Sequence, residues 1–335
     1  MKSPARLSVL VPVLAGSLLL TACAGSSASD GGDPAPETVA TINVGVAPDF
    51  FFSHLYFAVE GGFLEDQGID ATLTEFASGQ EATEAVTTGQ ADLTGSTATT
   101  VVNLAGRDTG VQVLGSYSEG NGWYAVVGNE QAAGVTSIDD LDGVAVAAQF
   151  GNAIDMVVRT FLANHDAGVE LIDYRDVKSP QLMSGLARGD YAAAAMWEPN
   201  VSTALANIEG ASIVLDSDEA VPVRGYNIFG EELAGDPELR ERVLTALDNT
   251  IEWMNENPDE VVALAMENSG IEDEELASSI QAKLTYSLDF TQENVDELSN
   301  AAAFFREQGL IEGTEEDVVA MYDLEGFEAW KSSAE

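Results

Sequence analysis

The sequence predicts an α/β fold of two similar lobes followed by a helical C-terminal region. Three observations carry this expectation. From Thr41 to Asp216, short runs rich in β-branched residues alternate with stretches of helical period, the pattern of a parallel-rich sheet covered by helices. A helix–Gly–strand unit at Gly79–Leu93 returns at Ser179–Ala193, with Val86 matched by Leu186 and Gly89 by Gly189. From Pro237 to Trp330 the helical period continues, with breaks at Pro258, Gly270 and Gly309.

Taken in order, Thr41-Ile-Asn-Val-Gly-Val-Ala47 reads as a strand ended by Pro48. Leu55, Ala58, Val59 and Phe63 lie on one face of a helix from Ser53 to Glu65. Ala71 to Phe76 is a strand, and Ser78 caps a helix that stops at Gly89. Ala91 to Ser96 is a short strand, a helix follows it, and Val111 to Tyr117 is the next strand. The second round has strands at Trp123–Gly128, Val144–Phe150, Leu171–Val177, Tyr191–Trp197 and Ser212–Asp216. Its helices are Ala153–Asn164 and Gln181–Arg188.

The N-terminal end predicts export. Lys2 and Arg6 precede an apolar run from Leu7 to Leu20, shorter than the ~20 residues a membrane span needs. Leu20-Thr21-Ala22-Cys23 closes it and resembles the bacterial lipobox, which implies that Cys23 is lipidated and becomes the first residue of the mature chain. Residues 1–22 are then a signal peptide. Residues 23–40, mostly Gly, Ser, Ala, Asp and Pro, form a flexible tether. With one cysteine in the chain, no internal disulfide forms, and stability must come from the core.

The chain carries 13 basic and 57 acidic residues, a net charge of −44. Losing Lys2 and Arg6 with the signal would take this by two to −46. Such a surface repels nucleic acid and anionic headgroups, so no nucleic-acid partner is expected. It suits a salty habitat, where counterions screen self-repulsion. The runs Glu272-Asp273-Glu274-Glu275 and Glu315-Glu316-Asp317 read as helix starts favoured by the dipole, since they lack the spacing of a calcium loop. No metal or cofactor site is expected.

Four ordered segments carry a family resemblance over about residues 42–206. Leu55-Tyr-Phe-Ala-Val-Glu-Gly-Gly-Phe-Leu-Glu-Asp-Gln-Gly-Ile-Asp70 resembles the opening of the solute-binding proteins of nitrate-, sulfonate- and taurine-type ABC importers. That family also includes binders of thiamine-pyrimidine precursors. Gly89-Gln-Ala-Asp-Leu-Thr-Gly-Ser96, Ser137-Ile-Asp-Asp-Leu-Asp-Gly-Val-Ala-Val146 and Gly189-Asp-Tyr191 through Trp197-Glu-Pro199 resemble its later elements. The resemblance implies a type II periplasmic-binding-protein fold whose chain crosses twice between lobes, near Tyr117–Gly122 and Val223–Asn227. Lobe one would hold residues 41–117 and 226–335, and lobe two residues 118–225. It further implies an extracytoplasmic, lipid-anchored monomer that passes a small solute to a permease and its ATPase subunit.

Ligands of open α/β sheets bind beyond the carboxyl ends of strands. In lobe one those ends carry Asp49, Phe50, Phe51, Phe52 and His54, then Gly95, Ser96 and Thr97. Three consecutive phenylalanines are not expected to face one core, so at least one is a candidate for the cleft. In lobe two the ends carry Gly151, Asn152 and Asp155, then Trp197 and Glu198. Tyr117 and Tyr226 stand at the crossings. Asp49, Asp155 and Glu198 would disfavour nitrate or a simple sulfonate and suit an N–H donor or a cation stacked on an aromatic ring. An aminopyrimidine or taurine satisfies this. The alternatives are a tethered solute sensor and a pyrimidine-synthesis-type enzyme on the same fold. The chain shows no metal-ligand spacing, nucleophile elbow or Walker loop, so no catalytic residue is assigned.

Overall fold

The computed structural model describes residues 40–151, 153–165, 168–216 and 223–334. The expected signal peptide, tether and Cys23 lie outside the described residues, as does Asn152. The strands are β1 (Ala40–Val46), β2 (Ile69–Glu75), β3 (Leu93–Thr97), β4 (Gln112–Gly120), β5 (Tyr124–Asn129), β6 (Ala145–Ala148), β7 (Asp173–Asp176), β8 (Ala193–Trp197), β9 (Ala211–Asp216), β10 (Val223–Phe229) and β11 (Leu284–Asp289). They form a six-stranded sheet ordered β11-β4-β10-β3-β1-β2 and a five-stranded sheet ordered β7-β6-β8-β5-β9.

Parallel pairing follows the α/β alternation: β1 lies parallel to β2 and β3, and β6 parallel to β7 and β8. The strands flanking the two crossings run the other way. β10 is antiparallel to β3 and β4, and β5 is antiparallel to β8 and β9. Strands covered on both faces read as continuous apolar runs. Val44 and Val46 in β1 and Ala193, Ala194 and Ala195 in β8 are all fully buried. Burying one such valine contributes about 1.5–3 kcal/mol.

Local chemistry sets the element ends. The Ser78 hydroxyl accepts from the Glu81 amide and caps the helix Gly79–Thr87. The two acidic runs are helix starts, as the sequence suggests. Asp273 caps Glu274–Gln281, and Thr314 with Asp317 forms a capping box on Glu315–Val319. Pro258 opens the helix Pro258–Ser269, and Gly270 ends it in the left-handed conformation.

Three expectations are corrected. The C-terminal region is not wholly helical, because β11 interrupts it and joins the edge of the first sheet. Its side chains alternate, with Leu284, Tyr286 and Leu288 buried and Thr285, Ser287 and Asp289 exposed. The helix expected over 53–65 is two helices, Ser53–Glu60 and Phe63–Asp66, because Gly62 adopts φ +82° and turns the chain. Phe50, Phe51 and Phe52, on a 3₁₀ turn, are all buried and belong to one hydrophobic core, contrary to the expectation for three in a row. The first sheet runs to Gly120 on one side of the crossings and resumes at Val223 on the other.

Among the described residues no helix is long and apolar enough to cross a membrane. Nor is any group of three His, Cys, Asp or Glu placed to hold a metal ion.

Candidate functional site

The carboxyl ends of β1 and β3 meet those of β6 and β8 around a cavity of about 60 Å³. Because β5 runs antiparallel to β8, its first residue reaches the same edge: Tyr124 pairs with Trp197. The cavity wall is aromatic and belongs to both sheets. Phe51 and Phe52 come from the turn after β1, Trp123 and Tyr124 from the start of β5, and Trp197 from the end of β8. Asp49, Ser96, Thr97 and Thr100 supply oxygen atoms. Ser78, Gly79 and Gln80 bring one helix N-terminus, and Ala153 and Ile154 bring another.

Asp49 is the charged group of this wall. Its Oδ1 accepts from the Phe51 amide at 2.9 Å, which shapes the aromatic turn. Desolvation pushes its carboxyl up to about 7, against the lowering effect of that bond. Among the described residues no Lys or Arg lines the cavity. Ser96 is buried, and a side-chain hydrogen bond joins Thr97 to Tyr124 across the two sheets.

The other residues singled out from sequence are placed elsewhere. Phe50 is fully buried beneath the turn, where its carbonyl accepts from the Tyr286 hydroxyl at 3.1 Å. His54 is also fully buried. Its Nε2 lies 3.1 Å from Asn227 Oδ1, and its ring stacks on Tyr117 with centroids 3.7 Å apart. Desolvation lowers its pKa to about 3, so it is neutral and structural rather than a wall residue. Tyr117 backs Phe51 edge-on at 5.3 Å. Its ring also explains Gly95, where a Cβ would stand 3.0 Å from two ring carbons. Gly95 is therefore glycine for close packing and does not line the cavity.

Asp155 is fully buried and committed. Arg159 Nε donates to it at 2.7 Å, the Tyr174 hydroxyl at 3.0 Å and the Gly151 amide at 3.1 Å. Glu198 is fully buried too, accepting from Lys283 Nζ at 2.5 Å and from the Ser202 hydroxyl at 2.8 Å. Tyr226 is buried in the first sheet, its hydroxyl donating to Glu297 at 3.2 Å. Gly151 sits where the halves touch, its carbonyl accepting from the Asn103 side chain. Of the three candidate carboxylates, only Asp49 faces the cavity.

Sequence reasoning missed Trp123, Tyr124, Ser78, Gly79, Gln80, Thr100, Ala153 and Ile154. The Ser78 cap was visible and marked a helix start beyond the end of β2. Trp123 and Tyr124 were hidden because the strand-end rule looks to carboxyl ends, and an antiparallel strand brings its amino end there.

This arrangement, two α/β sheets joined by two crossings with a walled cavity between strand ends, is the periplasmic-binding-protein fold. The NMT1/THI5-like family profile matches residues 49–261, more than half of the chain, and the chain belongs to that family. No curated protein matches it by sequence. Solved structures resemble it in fold. The alkanesulfonate-binding protein SsuA of Xanthomonas axonopodis pv. citri, bound to MOPS, has a TM-score of 0.74 at 16% identity, covering 88% of this chain and 99% of its own. The nitrate-binding protein NrtA of Synechocystis PCC 6803 has a TM-score of 0.72 at 14% identity, covering 89% of each chain. The aliphatic sulphonate-binding protein SsuA of Escherichia coli has a TM-score of 0.70 at 16% identity, covering 83% of this chain and 95% of its own.

Proposed function

We propose that this protein is the extracytoplasmic solute-binding component of an ABC importer, with the cavity around Asp49 as its solute site. The observation that carries the reading is the wall itself: both sheets contribute aromatic rings to one cavity that contains a carboxylate and, among the described residues, no basic side chain. The family and the solute-binding proteins that share the fold support the same class. Closure of two lobes about the crossings would bury the solute, and the closed form would be handed to a permease with its ATPase subunit. Lipidation at Cys23 would hold the protein, as a monomer, at the outer face of the cell membrane. A binding role without turnover accords with His54 being neutral and committed to Asn227.

Asp49 decides the ligand chemistry. Above pH 7, where the Asp49 carboxyl is ionised, a nitrate or simple sulfonate beside it in this low-dielectric wall would be repelled by several kcal/mol. A protonated amine or a heteroaromatic N–H would instead hydrogen-bond to it while stacking on Phe51, Trp123 or Trp197. The helix starts at Gly79 and Ala153 can hold an acceptor or anionic end of the same molecule. Taurine, with an ammonium and a sulfonate, and an aminopyrimidine both meet these demands. The test is mass spectrometry of whatever small molecule the purified protein releases on denaturation. A released compound with an N–H donor supports the reading, and a simple inorganic oxyanion overturns it.

A further inference from the structure

A second and larger cavity, about 460 Å³, adjoins the first. Thr97, Tyr124 and Ala153 line both, so the two share a wall at the Thr97–Tyr124 hydrogen bond. The second cavity also lies between the halves of the molecule. The helices Ala98–Val102 and Gln292–Glu307 flank it from the first sheet, and the helix Ala153–Asn164 from the second. Its surface is mainly apolar, with Met156, Val157, Val223, Ala301 and Phe304. Of these, Met156, Val157, Val223 and Ala301 are buried.

The rim of this cavity excludes anions. Among the described residues Arg224 is its one cation, and it is already held by Glu297 at 2.9 Å and Glu119 at 3.1 Å, with Glu293 at 3.9 Å. Asp296 adds further negative charge to the rim. An occupant must therefore be apolar, or cationic at its outer end.

At about 60 Å³ the first cavity is well below the ~150 Å³ of a cavity that takes up benzene, so it receives a polar head group and leaves a larger apolar substituent outside it. We infer that the solute has two parts: a nitrogen-bearing head that donates to Asp49, and an apolar body that passes the Thr97–Tyr124 contact into the second cavity. This rests on the solute-binding reading above and deepens it to a substrate class, amphiphilic organic amines or N-heteroaromatics with a hydrophobic substituent. Tyr124 is then the specificity-determining residue, because its ring divides head from body.

The experiment is calorimetric titration of the full mature chain with a series of primary amines from methylamine to hexylamine, with hexanesulfonate as the anionic counterpart. Affinity should rise with length by about fourfold per methylene, the factor corresponding to ~0.8 kcal/mol per buried CH₂. Thr160→Phe, on a half-buried part of the wall, should abolish that rise. Ala301→Leu, which intrudes less, should cut it short, and it preserves the test if the larger substitution prevents folding. Saturable amine binding that does not depend on length overturns this inference alone. Tighter binding of hexanesulfonate than of hexylamine overturns the assignment of the head. Absence of saturable binding by every member overturns this inference, while the solute-binding reading is judged separately by the small molecule the purified protein releases on denaturation.

Discussion

The two halves of the molecule meet in two chemically different ways. Where the chain crosses, the contact is charged and half-buried: the partly exposed Lys283 Nζ donates to the fully buried Glu198 and, at 2.9 Å, to the Gly122 carbonyl within the crossing itself. The backbone repeats the link, with Asn121 N donating to Lys283 O at 3.1 Å. Away from the crossings the contacts are neutral. Gln149 Nε2 donates to Gln80 Oε1 at 2.6 Å, and Asn103 donates to the Gly151 carbonyl. Separating the ion pair strands a buried charge, whereas a neutral amide pair exchanges for water at a net cost of about 0.5–1.5 kcal/mol. The difference teaches which contact is built to persist and which to part when a solute enters.

The strongest way to break this comparison is Lys283→Ala. It leaves Glu198 fully buried without its cation, and the expected loss is about 3–5 kcal/mol in a denaturant melt. Adding Glu198→Gln should restore much of it. An equal loss in the double variant would show that the pair is not the source.

The next effect concerns Asp49 and pH. Its folded carboxyl is raised to about 7 from an ordinary value of 3.8, so ionisation opposes folding. Its contribution to stability is therefore fully present below pH 3.8 and lost as the pH rises through 7. Asp49→Asn should remove that part of the pH dependence. Binding has the opposite sign, because a cationic solute needs the carboxylate. Affinity for taurine should fall about tenfold for each pH unit below 7.

Smaller effects sharpen the other side. Gln80→Ala should cost no more than about 1 kcal/mol of stability, because it removes one neutral contact between the halves, and weaken solute binding by about fivefold, because Gln80 also lines the cavity. A stability loss matching that of Lys283→Ala would erase the distinction between the two contacts. The smallest effect per group is that of salt. The chain's melting temperature should rise between low and molar salt as surface repulsion is screened, while the deficit of Lys283→Ala stays constant because Glu198 is fully buried. No salt response would count against the acidic surface as an adaptation.

The α/β rounds were legible because the buried strands and their helices carry strong periodicity. β11 was equally periodic, with Leu284, Tyr286 and Leu288 on one face, yet it was lost among helices. The omission matters to the site, since this strand follows Lys283 and carries Tyr286, whose hydroxyl holds the Phe50 turn. Asp49, Phe51, Phe52, Ser96, Thr97 and Trp197 could be placed near a cleft from strand ends alone, and they meet at one cavity. What one-dimensional reasoning could not supply was partnership. Asp155 and Glu198 resemble Asp49 in sequence position, but Arg159 and Lys283 neutralise them; Arg159 is the i,i+4 neighbour of Asp155 on a helix the sequence predicts, whereas Lys283 meets Glu198 only in the folded chain. His54 was drawn towards the site by its neighbours and is instead covered by Tyr117.

The central claim is that Asp49, the carboxylate left without a cation, selects a solute bearing an N–H donor. Side-by-side calorimetric titration of the wild type and Asp49→Asn with an aminopyrimidine, taurine and nitrate at pH 8 tests it most directly. The account predicts saturable binding of at least one nitrogen-bearing solute by the wild type and its loss by roughly a hundredfold in Asp49→Asn, the upper range for a charged hydrogen bond. Tight nitrate binding by the wild type, unchanged or improved in Asp49→Asn, would contradict it.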